Sequence, residues 1–380
     1  MLSRRSLLLG SGSLALTQIL SGCSSPENGL KIIFLQGSIP LQLIKEFRSI
    51  LERENQVVFK TKGKLQELFT ILEKSADRTD LRQANISLLP WQQESKTVEI
   101  DLITLGDYWL KSAIQNNLIQ PLELEKLTGW ENLPTSCQKL VKRDRDGKLD
   151  ENGSIWAAPY RWGTTVIIYR EEEFKKLGWT PSDWSDLWRE ELQDRISLLN
   201  QPREVIGLTL KKLGYSFNTE DLTKIPDLKS ELSKLQKQVK LYDSINYLQP
   251  LIVGDTWLAV GWSTDIIPLL KSMPNLKAIV PQSGTALFAD LWVKSAFSQA
   301  DKNSVIPRWI DFCWQLPQAK QISILTNASS PIVADRASEA IRSNSLLSAN
   351  RELLDKSEFI YPLPESSAKQ YQDFWQEMRK

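Results

Sequence analysis

The opening third of the chain alternates between short apolar runs and stretches in which apolar residues recur about every 3.6 positions. Apolar runs bounded by polar residues predict strands, and the 3.6-residue period predicts amphipathic helices. The strands predicted here are Leu30–Leu35, Val57–Thr61 and Ile100–Thr104. One predicted helix begins at Pro40, a second covers Leu65–Leu72, and a third runs from Asp107 to about Asn116. Strands separated by helices indicate βαβ units and a mainly parallel sheet.

The same alternation continues through the rest of the chain. It predicts strands at Ile155–Ala158, Thr164–Tyr169, Trp257–Val260, Ala278–Val280 and Ala286–Val293, helices at Arg203–Leu213 and Leu228–Val239, and mostly helical sequence from Arg308 onward. The predicted fold class is therefore α/β, with such material on both sides of the midpoint and no single linker. A chain that crosses more than once between two α/β lobes has this pattern. Ligands in such folds bind in crevices between domains and beyond the carboxyl ends of strands.

Two polar stretches interrupt the pattern. Residues 76–98 are polar and poorly periodic, which predicts an inserted surface loop. Lys142–Asp150 is a run of mixed charge with a turn at Asp146-Gly147, which predicts a solvated loop and not a binding patch.

The N-terminal residues have the features of an export signal. Two arginines precede a short apolar stretch, Leu7–Leu20, that is too short and too interrupted by small residues to span a bilayer permanently. Leu20-Ser21-Gly22-Cys23 resembles a bacterial lipobox, whose cysteine is acylated, and Ser3–Leu8 resembles a twin-arginine signal. The features predict a signal peptide at residues 1–22, a lipidated Cys23 and a polar tether at residues 23–29.

Composition removes several classes of function. The 380 residues include 47 basic and 46 acidic ones, so no charge excess points to nucleic acid. The chain has no histidine, which excludes Ser-His-Asp and Cys-His catalysis and His-ligated zinc or iron sites. Cys137 and Cys313 lie far apart in the chain and are predicted as two separately buried thiols. We predict neither a metal site nor a cofactor.

The most informative stretch for chemistry is Gly254–Asp265, in which an apolar run ends at Gly261-Trp262 and an aspartate follows. Trp262 offers a flat π face and Asp265 a full negative charge, a combination that suits an ammonium ion. The alternative is that Trp262 belongs to the core and that Asp265 caps a helix at Ile266–Lys271. The residues alone leave both interpretations open.

Other candidates lie where predicted elements meet. Asp290 is a single charge in an apolar run, which is unusual unless it reaches a cleft or a partner. Glu204 follows Pro202 in the first turn of a predicted helix, and the helix dipole alone explains its charge. Asp107 has the position of an N-cap. Gly163-Thr164-Thr165 predicts a turn into a strand, whose N–H and hydroxyl groups could equally face a ligand.

Taken together, these segments resemble the spermidine/putrescine-binding proteins of bacterial ABC importers, within the broad family of extracellular solute-binding proteins. The resemblance rests on Asp101–Trp109 with Gln120-Pro121-Leu122, on Ala158–Thr165, on Trp184–Trp188, Leu198–Glu204 and Leu210–Thr219, and on Gly254–Asp265 with Val280-Pro281 and Phe288–Asp290. These passages cover most of residues 100–295. Each is weak alone, and their combination is specific.

The resemblance implies a two-lobed periplasmic-binding-protein fold of type II with a polyamine between the lobes. The implied lobes are residues 30–160 plus 264–308, and residues 161–263 plus 309–380. The implied ligand-binding residues are Trp262 as the stacking aromatic, Asp265 and Asp290 for one ammonium group, Glu204 for another amine, and Tyr108, Gln201, Asp107 and Thr164 in the cleft.

The chain also departs from the family pattern. Gln201 stands at a position that is acidic in the family, and Gly106 at one that is commonly serine. Residues 36–39 lack the aromatic residues expected after the first strand. These differences predict weaker binding than in a typical member, or a changed polyamine preference.

The predicted function is a non-enzymatic, lipid-anchored and monomeric receptor on the periplasmic side of the envelope that delivers a polyamine to an ABC permease. One alternative is a solute-binding protein for another small solute. Another is a surface glycoside hydrolase, in which Asp265 and Asp290 would flank a sugar as paired carboxyl groups.

Overall fold

The computed structural model describes residues 29–51, 57–83, 100–298, 305–333, 346, 353 and 355–380. The predicted signal peptide, Cys23 and nearly all of the tether lie outside these residues. Within them, thirteen strands are β1 Leu30–Leu35, β2 Val57–Lys62, β3 Leu102–Gly106, β4 Ile119–Gln120, β5 Lys142–Arg143, β6 Ser154–Ile155, β7 Ala158–Arg170, β8 Ile196–Leu198, β9 Val239–Tyr242, β10 Leu258–Trp262, β11 Leu276–Ile279, β12 Ala286–Ser295 and β13 Glu358–Phe359.

The described residues also form twelve α-helices and six short 3₁₀-helices. The α-helices are α1 Leu41–Ser49, α2 Leu65–Gln83, α3 Leu110–Gln115, α4 Thr135–Val141, α5 Glu171–Leu177, α6 Pro202–Lys212, α7 Leu228–Gln238, α8 Gln249–Val253, α9 Ser263–Ser272, α10 Val305–Trp314, α11 Leu316–Thr326 and α12 Glu365–Met378. The 3₁₀-helices are Asp107–Trp109, Leu124–Lys126, Trp130–Asn132, Trp184–Trp188, Glu190–Leu192 and Leu222–Lys224. None of the described helices is long and apolar enough to cross a bilayer.

The long strand β7 joins two halves of one mixed sheet, whose order is β2-β1-β3-β12-β7-β10-β8-β9. Ala158–Thr164 of β7 pairs with β12, and Thr165–Tyr169 pairs with β10, so the partner strand changes between Thr164 and Thr165. We call the part built on β1–β3 and β12 the first half, and the part built on β8–β11 the second half. The parallel pairs β1–β2, β1–β3 and β8–β10 confirm the predicted α/β class.

Each half has its own packed interior. In the first half, Trp309 of α10 packs edge-on against Phe47 of α1 and Trp292 of β12, with ring centroids 4.9 and 5.8 Å apart. In the second half, Trp184 and Phe217 are fully buried beside the inner face of α6. Burial of large aromatic side chains removes much apolar area from water and is the main term that holds each half together.

The predicted lobe boundaries differ from these contacts at two places. Residues 309–326 were assigned to the second lobe, but α10 and α11 pack on the first half, where the Gln318 amide donates to Glu46 at 2.9 Å. Residues 264–279 were assigned to the first lobe, but β11 pairs with the second-half end of β7. Helix α12 returns to the second half, through Tyr371 and Trp375. Helical periodicity shows that a face is buried but does not show which sheet buries it.

Three local predictions were also wrong. Helix α2 continues to Gln83, so the predicted loop at 76–98 is helical at its start, and residues 84–99 lie outside the described part. Arg143 in the charge run is almost fully buried, because its guanidinium donates to the carbonyl oxygens of Leu140 and Gly147 at 2.8 and 3.2 Å. Gly163-Thr164-Thr165 lies inside β7 and is not a turn.

Candidate functional site

The predicted site residues gather where β7 changes partner between the two halves. Trp262, the last residue of β10, pairs with Thr165, and Leu287 of β12 pairs with Thr164. Ligand sites commonly lie where two domains of a protein meet. The site is therefore built from both halves around the middle of one strand.

Gly163 is required by the packing at this crossing. A Cβ atom there would lie 2.4 Å from the Phe288 ring and 2.7 Å from Ser263 Oγ. The absence of a side chain lets Ser263 approach, and its hydroxyl accepts the Thr164 N–H at 3.1 Å. Thr164 itself is buried, and its own hydroxyl has no partner among the described residues. Thr164 thus fixes the strand to the start of α9.

Gly261 has an equally specific role in the second half. A Cβ atom at this position would lie 1.9 Å from the Tyr247 ring. Because glycine leaves that space open, the Tyr247 hydroxyl accepts the Trp262 N–H at 3.2 Å and donates to Asp265 Oδ2 at 3.0 Å. The two rings of Tyr247 and Trp262 meet edge-on with centroids 6.2 Å apart. Tyr247 therefore positions both the aromatic residue and the carboxylate of the predicted motif.

The structure places Asp265 in the first turn of α9 and not at its N-cap, which is Trp262. The residue is exposed, yet burial by surrounding protein raises the pKa of its carboxyl, against the Tyr247 hydrogen bond and the charge of Arg161. Asp265 is therefore reachable from solvent, while Tyr247 holds its carboxylate.

Glu204 lies in the first turn of α6, where Pro202 opens the helix as predicted. Both of its oxygens accept the Thr165 hydroxyl at 3.1 Å. Burial raises the pKa of Glu204 to about 7, although hydrogen bonds from Thr165 and Trp262 and the charge of Arg203 oppose the shift. A buried carboxyl that is held by neutral donors is poised to gain a cation.

Gln201 and Tyr108 occupy more open positions. Gln201 is the N-cap residue of α6, is exposed, and makes no side-chain capping bond. Tyr108 is 57% exposed, and its ring packs on Trp109 with centroids 4.1 Å apart. Both side chains are thus exposed to solvent.

Asp107 is the first residue of the 3₁₀-helix Asp107–Trp109, after the N-cap Gly106, so the predicted N-cap role was wrong. Its carboxylate accepts the Ala289 N–H at 3.3 Å. Burial raises the pKa of Asp107 to about 7; the Ala289 bond lowers it, the nearby Asp290 charge raises it, and Arg143 lowers it. The charge of the buried Arg143, in the predicted solvated loop, therefore acts on the carboxyl group of Asp107.

Asp290 has a partner that sequence reasoning did not predict. It lies directly opposite Arg161 of β7, and Arg161 Nε donates to Asp290 Oδ2 at 2.5 Å. The register between β12 and β7 shifts after Asp290, so a β-bulge lies directly beside the Arg161–Asp290 pair. Both side chains are more than nine-tenths buried. The resemblance implied that Asp290 and Asp265 share one ammonium group, but in the structure Asp290 is paired with a guanidinium.

Sequence reasoning missed Tyr247 and Arg161. Arg161 could have been found, since it is a charge in an apolar strand, the same signal that identified Asp290. Tyr247 carries no such signal, because it lies 15 residues from its partner Trp262 along the chain. Cys137 and Cys313 are buried free thiols, as predicted.

The assembled site has carboxyl groups and aromatic rings but no arrangement for metal binding. In the described part of the chain, no group of three or more metal-ligating side chains could hold a metal ion. Carboxylates beside an indole and a phenol are the chemistry that holds an organic cation with an apolar body.

Comparison with known proteins agrees with this geometry. Residues 99–349 match the family model described as bacterial extracellular solute-binding protein. A spermidine/putrescine-binding periplasmic protein of Salmonella typhimurium is 25% identical over 281 residues, which are 73% of this chain and 77% of the relative. A putrescine-binding periplasmic protein, PotF, of Escherichia coli is 30% identical over 215 residues, 52% of this chain and 55% of the relative.

A solved structure shows the same fold. It is the spermidine/putrescine ABC transporter substrate-binding protein PotD of Streptococcus pneumoniae, with a TM-score of 0.74 and 21% identity over 92% of this chain and 98% of that one. The fold is thus the two-lobed one predicted, and the relatives are substrate-binding proteins and not enzymes, which disfavours the hydrolase alternative. The chain belongs to the bacterial extracellular solute-binding protein family.

Proposed function

We propose that this protein binds a short aliphatic polyamine between its two halves and delivers it to an ABC permease. The observation that carries the proposal is the pair of second-half carboxyl groups, Glu204 and Asp265, which flank Trp262 and form no ion pair within the described residues. An ammonium ion that leaves water needs both charge and hydrogen bonds to replace its hydration, and the two carboxyl groups supply them. The names of the relatives support the same ligand class.

The Trp262 indole has a second role in this proposal. Its side chain hydrogen-bonds to Glu204, and its ring meets that of Tyr247, which holds Asp265, so a methylene chain between two ammonium groups would stack on it. Cation–π attraction then adds to the charge pairing. A sugar would use the ring but would leave the carboxyl groups without a cation.

Titration calorimetry tests the proposal. The mature protein should bind putrescine or spermidine and should ignore a sugar panel. Asp265→Asn should weaken binding by about 30-fold or more, since loss of one partner of a charge pair costs about 2–5 kcal/mol. Glu377→Gln on the exposed face of α12 is the matched control and should change nothing. Wild-type protein that binds no polyamine would overturn the proposal.

We further propose that Cys23 is lipidated after removal of residues 1–22 and anchors the protein as a monomer on the periplasmic side of the envelope. The lipobox-like Leu20-Ser21-Gly22-Cys23 supports the anchor. Cell fractionation should find wild type in membranes and Cys23→Ala in the soluble fraction. A variant that stays in membranes would place the anchor elsewhere.

A further inference from the structure

We propose that Arg161 is a specificity-determining residue. Its guanidinium forms an ion pair with the Asp290 carboxylate and so keeps that carboxylate from a ligand ammonium group, with the result that the site prefers a diamine to a triamine. This inference rests on the proposed function. It specifies which polyamine the site prefers and assigns that preference to Arg161.

The Arg161–Asp290 pair lies close to the junction of the two halves. Arg161 lies in β7 three residues before Thr164, the last residue that pairs with β12, and its charge acts on Asp265 in the second half. Asp290 lies in β12 opposite Arg161 on one side and Gly106, the residue before Asp107, on the other. The Arg161–Asp290 pair therefore stands between the carboxyl groups of the two halves.

The Arg161–Asp290 pair is buried and held in one geometry. Arg161 exposes 8% of its side chain and Asp290 4%. The guanidinium also donates to the carbonyl oxygen of Thr326 at 3.4 Å, at the end of α11. A rotating surface side chain would lose this geometry, whereas a buried guanidinium with two acceptors keeps it. A ligand ammonium would have to displace the guanidinium to reach Asp290.

The carboxyl groups of the site differ in whether an arginine pairs with them. Four carboxyl groups meet at the site, namely Asp107, Asp290, Glu204 and Asp265. In the first half, Asp290 pairs with Arg161, and the buried Arg143 acts on Asp107. In the second half, Glu204 and Asp265 accept hydrogen bonds from neutral hydroxyl groups. Arg203 beside Glu204 donates elsewhere, to the carbonyl oxygens of Tyr361 and Phe217. Of these four carboxyl groups, Asp290 is thus the one in a direct ion pair with an arginine, so the site offers one carboxylate fewer to the ammonium groups of a ligand.

Substitution of Arg161 tests the inference. Arg161→Met frees Asp290 for a third ammonium group, so the affinity for spermidine relative to putrescine should rise about tenfold, the value of one charge-assisted hydrogen bond. Arg161→Lys keeps a cation on Asp290 and should keep the wild-type ratio. Arg170→Met is the matched control, because that guanidinium donates to the carbonyl oxygens of Leu251 and Ile252 away from the site.

The double variant Arg161→Met/Asp290→Asn guards against misfolding, because it removes the buried pair together. It should not show the rise in relative spermidine affinity that Arg161→Met shows, because the asparagine at position 290 offers no charge to a third ammonium group. A loss of 30-fold or more in putrescine affinity in the folded double variant would show that Asp290 binds the ligand directly and would overturn the inference. An unchanged ratio in folded Arg161→Met would overturn it too. Wild type that binds neither amine overturns the proposed function itself, and the inference with it.

Discussion

The two halves present carboxyl groups to the site in different ways. In the first half, Asp290 is covered by the guanidinium of Arg161, and Asp107 lies near the buried Arg143. In the second half, Glu204 accepts hydrogen bonds from Thr165 and Trp262, and Asp265 accepts one from Tyr247.

The difference shows that a carboxylate in a cleft is not by itself a cation site. A guanidinium partner satisfies its charge, whereas hydroxyl and indole donors satisfy its hydrogen bonds and leave its charge uncompensated. The second half therefore carries the attraction for a cationic ligand, and the first half shapes the end of the site.

The largest expected effect comes from removing a second-half charge. Glu204→Gln should weaken putrescine binding by about 30-fold or more, or about 2–5 kcal/mol, because one ammonium group is left underpaired. Thermal stability at pH 8 should not fall, because the folded state already disfavours the ionised form of Glu204. Titration calorimetry and a thermal melt separate the two effects. Wild-type affinity in this variant would remove Glu204 from the site.

The elements of this comparison were only partly accessible from the sequence. Trp262, Asp265 and Asp290 were singled out because each follows or breaks an apolar run, whereas the ligand role of Glu204 was implied by the family resemblance. Their partners were not found, because Arg161 meets Asp290 across 129 residues of chain. Periodicity reports which residues are buried, whereas a long-range pair depends on strand order and register.

The same limit explains the misplaced lobe boundaries. The apolar faces of α10 and α11 are clear in the sequence, but each could have packed on either half. Their place on the first half follows from Trp309 meeting Phe47 and Trp292. No local pattern encodes that choice of neighbour.

The next effect concerns the support of the second-half site. Gly261→Ala would place a methyl group 1.9 Å from the present Tyr247 ring, so the ring has to move and release Asp265. Overpacking of this kind lowers the free energy of unfolding by about 1–3 kcal/mol. Denaturant unfolding should show the loss. Gly63→Ala is the control, since a Cβ atom there meets nothing within 4 Å. Equal stability of both variants would contradict the packing role of Gly261.

A smaller effect is expected from the aromatic face. Trp262→Ala should weaken polyamine binding by about 1–2 kcal/mol, because cation–π attraction and stacking are lost while both carboxyl groups remain. Selectivity for chain length should also loosen, which a calorimetric series of diamines would measure. Trp262→Phe keeps a π face and should retain part of the affinity. A loss as large as that of Glu204→Gln would mean that the ring, and not the charge, dominates the second half.

The smallest effect is the pH dependence of the second-half carboxyl group. Burial raises the pKa of Glu204 to about 7, above its ordinary value of 4.5. A raised pKa means that this group's contribution to stability is fully present below about pH 4.5 and is lost as the pH rises through 7. Compared with Glu204→Gln, unliganded wild type should therefore gain relative thermal stability from pH 8 down to pH 5.

Ligand binding should respond in the opposite direction, because a cation needs the ionised carboxylate. A group half protonated at pH 7 weakens binding there about twofold relative to pH 8, and the slope steepens below pH 7. Calorimetry in two buffers of different ionisation enthalpy should detect proton release on putrescine binding at pH 7, and Glu204→Gln should abolish this group's share. Asp107 has a pKa of about 7 as well, but it lies in the half whose carboxyl groups have arginines nearby. Proton release that is unchanged in Glu204→Gln would therefore assign the titration to the first half and reverse the roles of the two halves.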